Sequence, residues 1–329
     1  MKYLILALAL TLFQAGNSEN KKATQVEITE WQVPWENTRP RDPDVDEKGR
    51  VWFVGQRDDY VAWLDPDTGE FTRHDLEDGA GPHNLIVDEE GSIWYAGNRA
   101  SHIGKMHPET GEITKYMMPD PSVRDPHTLV LDQNKDIWFT AQGSNVVGKF
   151  TRSDESIEII PVPTERARPY GISIDSNNRP WLNLFGTNKL ATIDPQSMEL
   201  EEIRLPREDA RSRRIAITSD DNIWYCDYAK GYLGRMDQGN REITEWELPS
   251  GESSRPYAMT VDNKDRLWMV ESGSSPNLLV GFDPETEEFF SVTEIESGGG
   301  TVRHMIFHEP SNQIWFGTDT NYIGTAYLE

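Results

Sequence analysis

The sequence is poor in cysteine and in positive charge. Cys226 is the only cysteine, so an internal disulfide is excluded, and no zinc-type cysteine spacing is present. Lysine and arginine number 32 against 56 aspartates and glutamates, which gives a formal net charge of −24. Such a surface repels nucleic acid phosphates and anionic membranes, and we therefore expect no nucleic acid partner.

Long hydrophobic runs are also missing beyond the N-terminus. The one apolar run there, Tyr3 to Phe13, follows Lys2 and precedes small residues that end at Ser18. It is too short to span a membrane, and the pattern is typical of a cleaved signal peptide. We predict a signal peptide over residues 1–18 and a domain without a membrane span over residues 19–329. The destination is the periplasm or the medium.

A helical period is absent as well, and seven tryptophans recur instead at a regular spacing. Each follows an aliphatic residue or proline and precedes a hydrophobic residue, and successive gaps are 42 to 47 residues. Four-stranded propeller blades repeat at roughly 40–45 residues. We predict that each tryptophan packs between neighbouring blades. The seven are Trp52, Trp94, Trp138, Trp181, Trp224, Trp268 and Trp315.

The chain supplies the last blade's missing strand from its other end. The final repeat stops at Glu329 after three strand-like segments, whereas Val26–Pro34 closely matches the fourth segment Glu242–Pro249. The sequence therefore predicts an all-β, seven-bladed β-propeller of four-stranded blades. Its ring is closed by Val26–Pro34 as the outer strand of the last blade, which hides an open edge. A closed ring needs no partner, so we expect a monomer.

The residue eleven positions before each repeated tryptophan is always arginine, histidine or tyrosine. It falls at the start of the first strand of a blade, which lines the central channel of a propeller. We predict that these seven side chains surround one mouth of the channel. They are Arg41, His83, His127, Tyr170, Arg213, Tyr257 and His304.

Arginine is also frequent two positions further upstream. In an acidic chain this local reversal of charge favours an anionic ligand. The guanidinium group of arginine binds carboxylate, sulfate or phosphate through two parallel hydrogen bonds. The alternative is that these arginines pair with nearby acids such as Asp125 and Asp209. The four arginines are Arg39, Arg168, Arg211 and Arg255.

The residue types at the mouth suit proton abstraction beside a carbonyl group. Histidine and tyrosine serve as general acids or bases, and arginine stabilises an enolate. Loss of a leaving group after the proton is removed would complete a β-elimination. The same side chains also suit binding without reaction, and both interpretations remain open at this point.

The repeats resemble those of the virginiamycin B lyase family, also called streptogramin lyases. The shared pattern is Pro-His/Tyr-x-Ile, Asp, Gly, Ile-Trp-Phe-Thr, Ile-Gly-Lys/Arg and Glu-Ile-Thr-Glu-Tyr-x-Leu-Pro, and it covers Val26 to Glu329. The resemblance implies a seven-bladed propeller that opens an ester in a cyclic antibiotic by elimination. It also implies Mg²⁺ as a cofactor, although no metal-ligand motif stands out in the residues.

The resemblance further implies residue roles. His304 matches a family histidine that acts as general acid or base, and Asp319 stands where the family has a contributing glutamate. Tyr257 replaces a second family histidine, Val302 replaces a glutamate, and Arg41 replaces a tyrosine. We expect Tyr257 to act as the partner of His304. The residues expected to hold the substrate are Arg41, His83, His127, Tyr170, Arg213, Arg255 and Arg168.

The leading hypothesis is an exported C–O lyase that acts on a small molecule or oligosaccharide with an ester or anionic group. A uronate-containing sugar is one such ligand. A non-catalytic ligand-binding propeller is the first alternative. A gluconolactonase-like hydrolase is the second, with Asn84, Asn183 and Glu271 as calcium ligands.

Overall fold

The structure is a computed structural model that describes residues 23–329, and this part of the chain contains 28 β-strands and two short 3₁₀ helices. The predicted signal peptide lies outside the described residues. Within residues 23–329, no helix has the length and apolar character needed to cross a membrane. The 3₁₀ helices are Gly251–Ser254 and Glu309–Ser311. The strands are β1 (Glu27–Gln32), β2 (Pro40–Val45), β3 (Val51–Gly55), β4 (Tyr60–Leu64), β5 (Phe71–Asp75), β6 (Pro82–Val87), β7 (Ile93–Gly97), β8 (His102–Met106), β9 (Ile113–Met117), β10 (Pro126–Leu131), β11 (Ile137–Ala141), β12 (Val146–Thr151), β13 (Ser156–Pro161), β14 (Pro169–Ile174), β15 (Pro180–Leu184), β16 (Lys189–Ile193), β17 (Leu200–Arg204), β18 (Ser212–Ile217), β19 (Ile223–Asp227), β20 (Tyr232–Met236), β21 (Ile243–Glu247), β22 (Pro256–Val261), β23 (Leu267–Glu271), β24 (Leu278–Asp283), β25 (Glu288–Glu294), β26 (Val302–His308), β27 (Gln313–Thr318) and β28 (Tyr322–Tyr327).

The strands form seven antiparallel sheets of four, which confirms the predicted seven-bladed propeller. Six blades each take four consecutive strands, beginning with β2–β5 and ending with β22–β25. The seventh sheet has the order β1-β28-β27-β26, so its outer strand comes from the N-terminal end of the described chain. Closing the ring in this way covers the edge of β28 that would otherwise be open.

The N-terminal segment joins the last two blades. Strand β1 pairs with β28 from Glu27 opposite Tyr327 to Gln32 opposite Tyr322. Just before it, the N–H of Thr24 donates to the carbonyl oxygen of Phe290 in the sixth blade at 2.8 Å. The predicted closure by Val26–Pro34 is therefore confirmed, and the contact with the sixth blade extends it.

A repeated hydrogen-bond unit fixes the tryptophans between the blades. All seven are 0–2% exposed. In the second blade one carboxylate oxygen of Asp88 accepts the backbone N–H groups of Glu90 and Ser92, and the other accepts the indole N–H of Trp94 at 2.7 Å. One acidic side chain thus stabilises the turn and orients the indole. The acceptors in the first six blades are Asp46, Asp88, Asp132, Asp175, Thr218 and Asp262.

The seventh blade lacks this unit. Its turn between β26 and β27 is the 3₁₀ helix Glu309–Ser311, and the buried indole nitrogen of Trp315 has no acceptor within residues 23–329. The ring of Trp31 from β1 stacks on Trp315 at 5.7 Å instead. Packing by the N-terminal strand therefore holds this indole where the other blades use a carboxylate or, in the fifth blade, the hydroxyl of Thr218.

Candidate functional site

A β-bulge recurs at the same place in the first strand of every blade. In the second blade the pairing register shifts between Pro82 and Leu85, and the other six blades shift at equivalent residues. A bulge bends a strand and changes the direction of a side chain. The residue after the first position of the strand, His83 in this blade, thereby packs against its counterpart in the next blade.

The predicted ring residues contact one another around the channel. The imidazole of His83 lies 3.6 Å from that of His127, which lies 4.2 Å from the Tyr170 ring. The hydroxyl groups of Tyr170 and Tyr257 form a hydrogen bond, and the guanidinium of Arg213 lies 3.8 Å from the centre of the Tyr257 ring. The first strands of the blades therefore converge on one opening.

The seventh blade departs from the eleven-residue count. Its longer turn adds one residue, and the strand pairing places Arg303, twelve residues before Trp315, at the ring position. The Arg303 guanidinium reaches the hydroxyl of Tyr257 at 3.5 Å. The count that placed His304 in the ring is wrong by one residue, and His304 lies in the layer beneath.

This lower layer consists of the residue that follows each ring residue, and one arginine crosses it. The Nε of Arg214 donates to the backbone oxygen of Arg303 at 3.0 Å, and its Nη1 donates to the hydroxyl of Thr128 at 3.2 Å. Sequence reasoning missed Arg214, although its place directly after Arg213 is a usable signal. The layer contains Asp42, Asn84, Thr128, Gly171, Arg214, Ala258 and His304.

Asp42 is the counter-ion in the lower layer. Its carboxylate accepts from Nε of Arg41 at 2.8 Å and from the amide of Asn84 at 3.1 Å, and it lies 3.7 Å from the guanidinium of Arg214. Burial alone would raise the pKa of Asp42, but Arg41 and Arg214 outweigh burial and hold this pKa well below its usual range. A buried ion pair therefore fills the channel beneath the ring.

The histidines at the mouth are neutral. Burial, reinforced by Arg214, lowers the pKa of His304 to about 3. Burial, together with the neighbouring arginines, also lowers the pKa values of His83 and His127 well below the usual range. An imidazole surrounded by guanidinium groups loses its proton because the charged form is both desolvated and repelled.

The two tyrosines of the ring respond differently from the histidines. Burial tends to raise the pKa of Tyr170, but the guanidinium groups of Arg213 and Arg214 outweigh burial and lower it. Burial raises the pKa of Tyr257, and the negative charge that Tyr170 can carry raises it further. Tyr170 is therefore the member of the pair that ionises first.

On the side of the mouth formed by the seventh and first blades, the arginines are paired with carboxylates. The carboxylate of Asp319 accepts two hydrogen bonds from Arg303, at 3.0 and 2.6 Å, and lies 3.5 Å from Nε of Arg39. Arg39 and Arg41 both donate to the side-chain oxygen of Gln56, at 3.4 and 3.2 Å. The predicted site residues Asp319 and Arg41 are thus already bound to other side chains of the protein.

The side formed by the fourth to sixth blades is aromatic and cationic. Four rings surround the Arg213 guanidinium at 3.8 to 4.8 Å from ring centre to guanidinium carbon. Phe185 and Tyr228 are two of these rings, and sequence reasoning missed both, although each is the fourth residue after a repeated tryptophan. Arg168 and Arg255, predicted to bind substrate, lie exposed at the rim rather than in the ring.

The side chains at the mouth do not fit a magnesium ion. Mg²⁺ prefers carboxylate oxygens and water, but the Asp319 carboxylate is already bound by Arg303 and Arg39. Within residues 23–329, no group of three or more histidine, cysteine, aspartate or glutamate side chains is placed to hold a metal ion.

The three side chains proposed as calcium ligands are not arranged as a calcium site. The amide oxygen of Asn84 accepts the backbone N–H of Leu129 at 2.8 Å, and the carboxylate of Glu271 accepts hydrogen bonds from Ser250. Asn183 is fully buried, and its amide has no hydrogen-bond partner in the described part of the chain. The side-chain oxygens of Asn84 and Glu271 already accept hydrogen bonds within the protein, which argues against the lactonase alternative.

Solved structures with similar folds were found, whereas no curated protein matches the chain. A catalytically inactive variant of virginiamycin B lyase from Staphylococcus aureus with quinupristin is 25% identical, with a TM-score of 0.84 over 93% of this chain and 100% of that chain. A streptogramin B lyase structure is 24% identical, with a TM-score of 0.81 over 92% and 98% of the two chains. The extracellular domain of a hybrid two-component system from B. thetaiotaomicron is 14% identical, with a TM-score of 0.71 over 92% and 40%.

The family model gives the more specific result. The model of the virginiamycin B lyase family matches residues 26–326, which is nearly the whole propeller including the strand that closes the ring. The resemblance noted from the repeats is thereby confirmed at the level of the family. The chain belongs to the virginiamycin B lyase family.

Proposed function

We propose that the protein binds an anionic or ester-bearing ligand at the mouth and breaks a C–O bond in it by β-elimination. The observation that carries this proposal is the Tyr170–Tyr257 pair, whose hydroxyl groups lie next to the guanidinium groups of Arg213 and Arg303 at 3.4 and 3.5 Å. Two similar solved structures are named lyases, and lyase is the reaction class proposed here.

Elimination beside a carbonyl group needs a base, an acid and a positive charge near the carbonyl oxygen. Tyr170, which ionises first, takes the proton from the carbon. The electron pair of that C–H bond forms a C=C bond while the C–O bond on the next carbon breaks. Tyr257 remains protonated and donates to the departing oxygen. Arg213 and Arg303 stabilise the enolate that develops.

The predicted catalytic role of His304 passes to the tyrosines in this proposal. A pKa of about 3 makes His304 a weak base, and its place in the lower layer separates it from the ring. The mechanism also routes no step through a metal ion, because the carboxylate of Asp319 is held by Arg303 and Arg39.

Binding without catalysis is the second candidate function, and the burial of the tyrosines favours it. Tyr170 is 3% exposed and Tyr257 is 1% exposed. Burial keeps their hydroxyl groups away from a ligand that stays at the rim.

Ultraviolet absorbance of a new conjugated double bond distinguishes the two functions. The purified protein is mixed with a cyclic depsipeptide ester or with a uronate oligosaccharide. We expect turnover that increases with pH as Tyr170 ionises, and a loss of about 10²–10⁴-fold in Tyr257→Phe, because this variant lacks the acid of the pair. Tyr116→Phe removes a hydroxyl on the outer strand β9 and is the matched control.

Two outcomes decide between the candidates. Turnover by Tyr257→Phe at the rate of the parent contradicts the tyrosine mechanism. Binding of a ligand by the parent without any unsaturated product supports the binding propeller and removes the lyase.

We also propose that the protein is exported and that residues 1–18 are cleaved off. The charge, apolar stretch and small residues of this segment support the proposal. N-terminal sequencing of the protein recovered outside the cytoplasm tests it. An intact Met1 on protein that stays in the cytoplasm contradicts it.

A further inference from the structure

Four arginines at the mouth have no acidic partner. Within residues 23–329, each lies more than 4 Å from every carboxylate, although the chain has 56 acidic and 32 basic residues. The Nε of Arg213 is in addition buried without a hydrogen-bond partner. We call these four residues the arginine arc: Arg168, Arg211, Arg213 and Arg255.

The arc follows three consecutive blades. Arg168, Arg211 and Arg255 each stand two residues before a ring residue, in the fourth, fifth and sixth blades respectively. Arg168 and Arg255 are exposed, and Arg211 is partly exposed. Positive charges therefore repeat once per blade along the rim, and Arg213 lies inside them.

Aromatic side chains lie beside the arc. Phe185 and Tyr228 are both partly exposed, and their ring centres are 6.0 Å apart with the rings nearly perpendicular. The guanidinium of Arg213 lies 4.4 Å from the first ring and 4.7 Å from the second. Aromatic surface with a few well-placed charges is typical of a site that orients a ligand through both.

We propose that the ligand is a short linear chain of uronic acid residues lying along the fourth to sixth blades. Such a chain carries several carboxylates for the arginines of the arc, and its sugar rings have apolar faces for Phe185 and Tyr228. This inference rests on the proposed function. Elimination needs an acidic C–H beside a carboxylate and a C–O bond on the next carbon, and each unit of a 1,4-linked uronate chain has both. Acidic peptides have the carboxylates but lack that C–O bond.

The reaction balances without water or an oxidant. Arg213 binds the carboxylate on carbon 5, and the Tyr170 phenolate takes the proton from that carbon. The electron pair forms the C4=C5 double bond, the C4–O bond to the adjoining sugar breaks, and the departing oxygen takes the proton of Tyr257. Proton transfer between the two bonded hydroxyl groups then restores the pair.

Calorimetric binding of a 1,4-linked galacturonate trimer tests the proposal, with neutral maltotriose as the uncharged comparison. The measurements use Tyr257→Phe as the background, in which turnover is expected to be too slow to disturb the binding measurement. We expect the trimer to bind more weakly as salt increases, and maltotriose not to bind. Adding Arg168→Ala, Arg211→Ala and Arg255→Ala should weaken trimer binding at least about tenfold.

A second triple variant is the matched control. Lys115→Ala, Lys135→Ala and Lys264→Ala remove the same charge from exposed positions on the outer strand β9 and in the β10–β11 and β22–β23 turns, and the affinity of the trimer should stay as in the background. Equal affinity for the trimer in both triple variants overturns the proposal. Binding of maltotriose or of triglutamate as tight as that of the trimer overturns it too.

Failure of the proposed function gives a different result. If the trimer binds through the arc but the parent forms no unsaturated product, the uronate ligand is supported and the elimination is contradicted. If the protein cleaves a cyclic depsipeptide by elimination but does not bind the trimer, the uronate ligand is contradicted and the elimination is supported.

Discussion

The two sides of the mouth use arginine in opposite ways. On the seventh and first blades, Arg41 and Arg303 are bound by the carboxylates of Asp42 and Asp319. On the fourth to sixth blades, Arg213 is surrounded by aromatic rings, and no carboxylate of the described residues lies within 4 Å of it. The first side is a structural ion-pair network, and the second leaves its charges available to a ligand. In the proposed function, pairing rather than the number of arginines decides which side binds a ligand.

The largest effect on stability is expected at Asp42, whose buried carboxylate holds the paired side of the mouth together. Asp42→Asn leaves Arg41 and Arg214 without their counter-ion, and we expect the free energy of unfolding to fall by about 3–5 kcal/mol. Urea unfolding measures this loss. Asp42→Leu combined with Arg41→Met removes both charges of the closest pair and should recover part of it. A loss below about 1 kcal/mol in Asp42→Asn would show that the first side is not held by this pair.

A smaller effect is expected two residues further along the same strand. Burial raises the pKa of Asp44 to about 6, although the backbone N–H groups of Val45 and Val87 partly counteract burial. The folded pKa lies above the unfolded value of about 3.9. The contribution of Asp44 to stability is therefore complete below about pH 4 and is lost as the pH rises through about 6.

Asp44→Asn removes this titration. Relative to the parent, the variant should gain about 2 kcal/mol of unfolding free energy between pH 4 and pH 7, because two pKa units correspond to roughly that amount. Urea unfolding at the two pH values measures the difference. Asp75→Asn, at an exposed position on β5, is the control and should show no comparable change. A parent-to-variant difference that stays constant with pH contradicts the raised pKa.

The smallest effect on stability is expected at Asp319. Its side chain is 22% exposed, so Asp319→Asn should cost no more than about 1 kcal/mol. The same change leaves Arg303 and Arg39 without their carboxylate, which adds unpaired positive charge to this side of the mouth. Affinity for the galacturonate trimer should therefore rise. A large loss of stability with unchanged affinity would mean that Asp319 is structural in the way that Asp42 is.

Much of the fold was predictable from repeated short patterns. The tryptophan spacing gave the number of blades, because each blade must place one large side chain against the next. The match of Val26–Pro34 to Glu242–Pro249 indicated the closing strand, because both segments have the alternation of an outer strand. The contact of Thr24 with Phe290 was not predictable, since it depends on where the chain runs before that strand.

The ring of side chains around the channel was predictable in position but only partly in detail. Counting back from the tryptophans found His83, His127 and Tyr170, since the turn after their strand has the same length in each blade. The same count failed for Arg303, because the 3₁₀ turn of the last blade adds a residue. Counting residues along the chain could not show the hydrogen-bond partners of Arg214 either, because they belong to other blades.

The sequence by itself determined the repeating unit, the closed ring and the concentration of arginine, histidine and tyrosine at one mouth. These features depend on neighbours within one strand or on a fixed interval along the chain. Only the tertiary structure decided which arginines are neutralised and which tyrosine ionises first. The reason is that Arg214 meets Thr128 across 86 residues and Tyr170 meets Tyr257 across 87. Electrostatic interactions between such residues depend on distance in space and on burial, and neither can be counted along the chain.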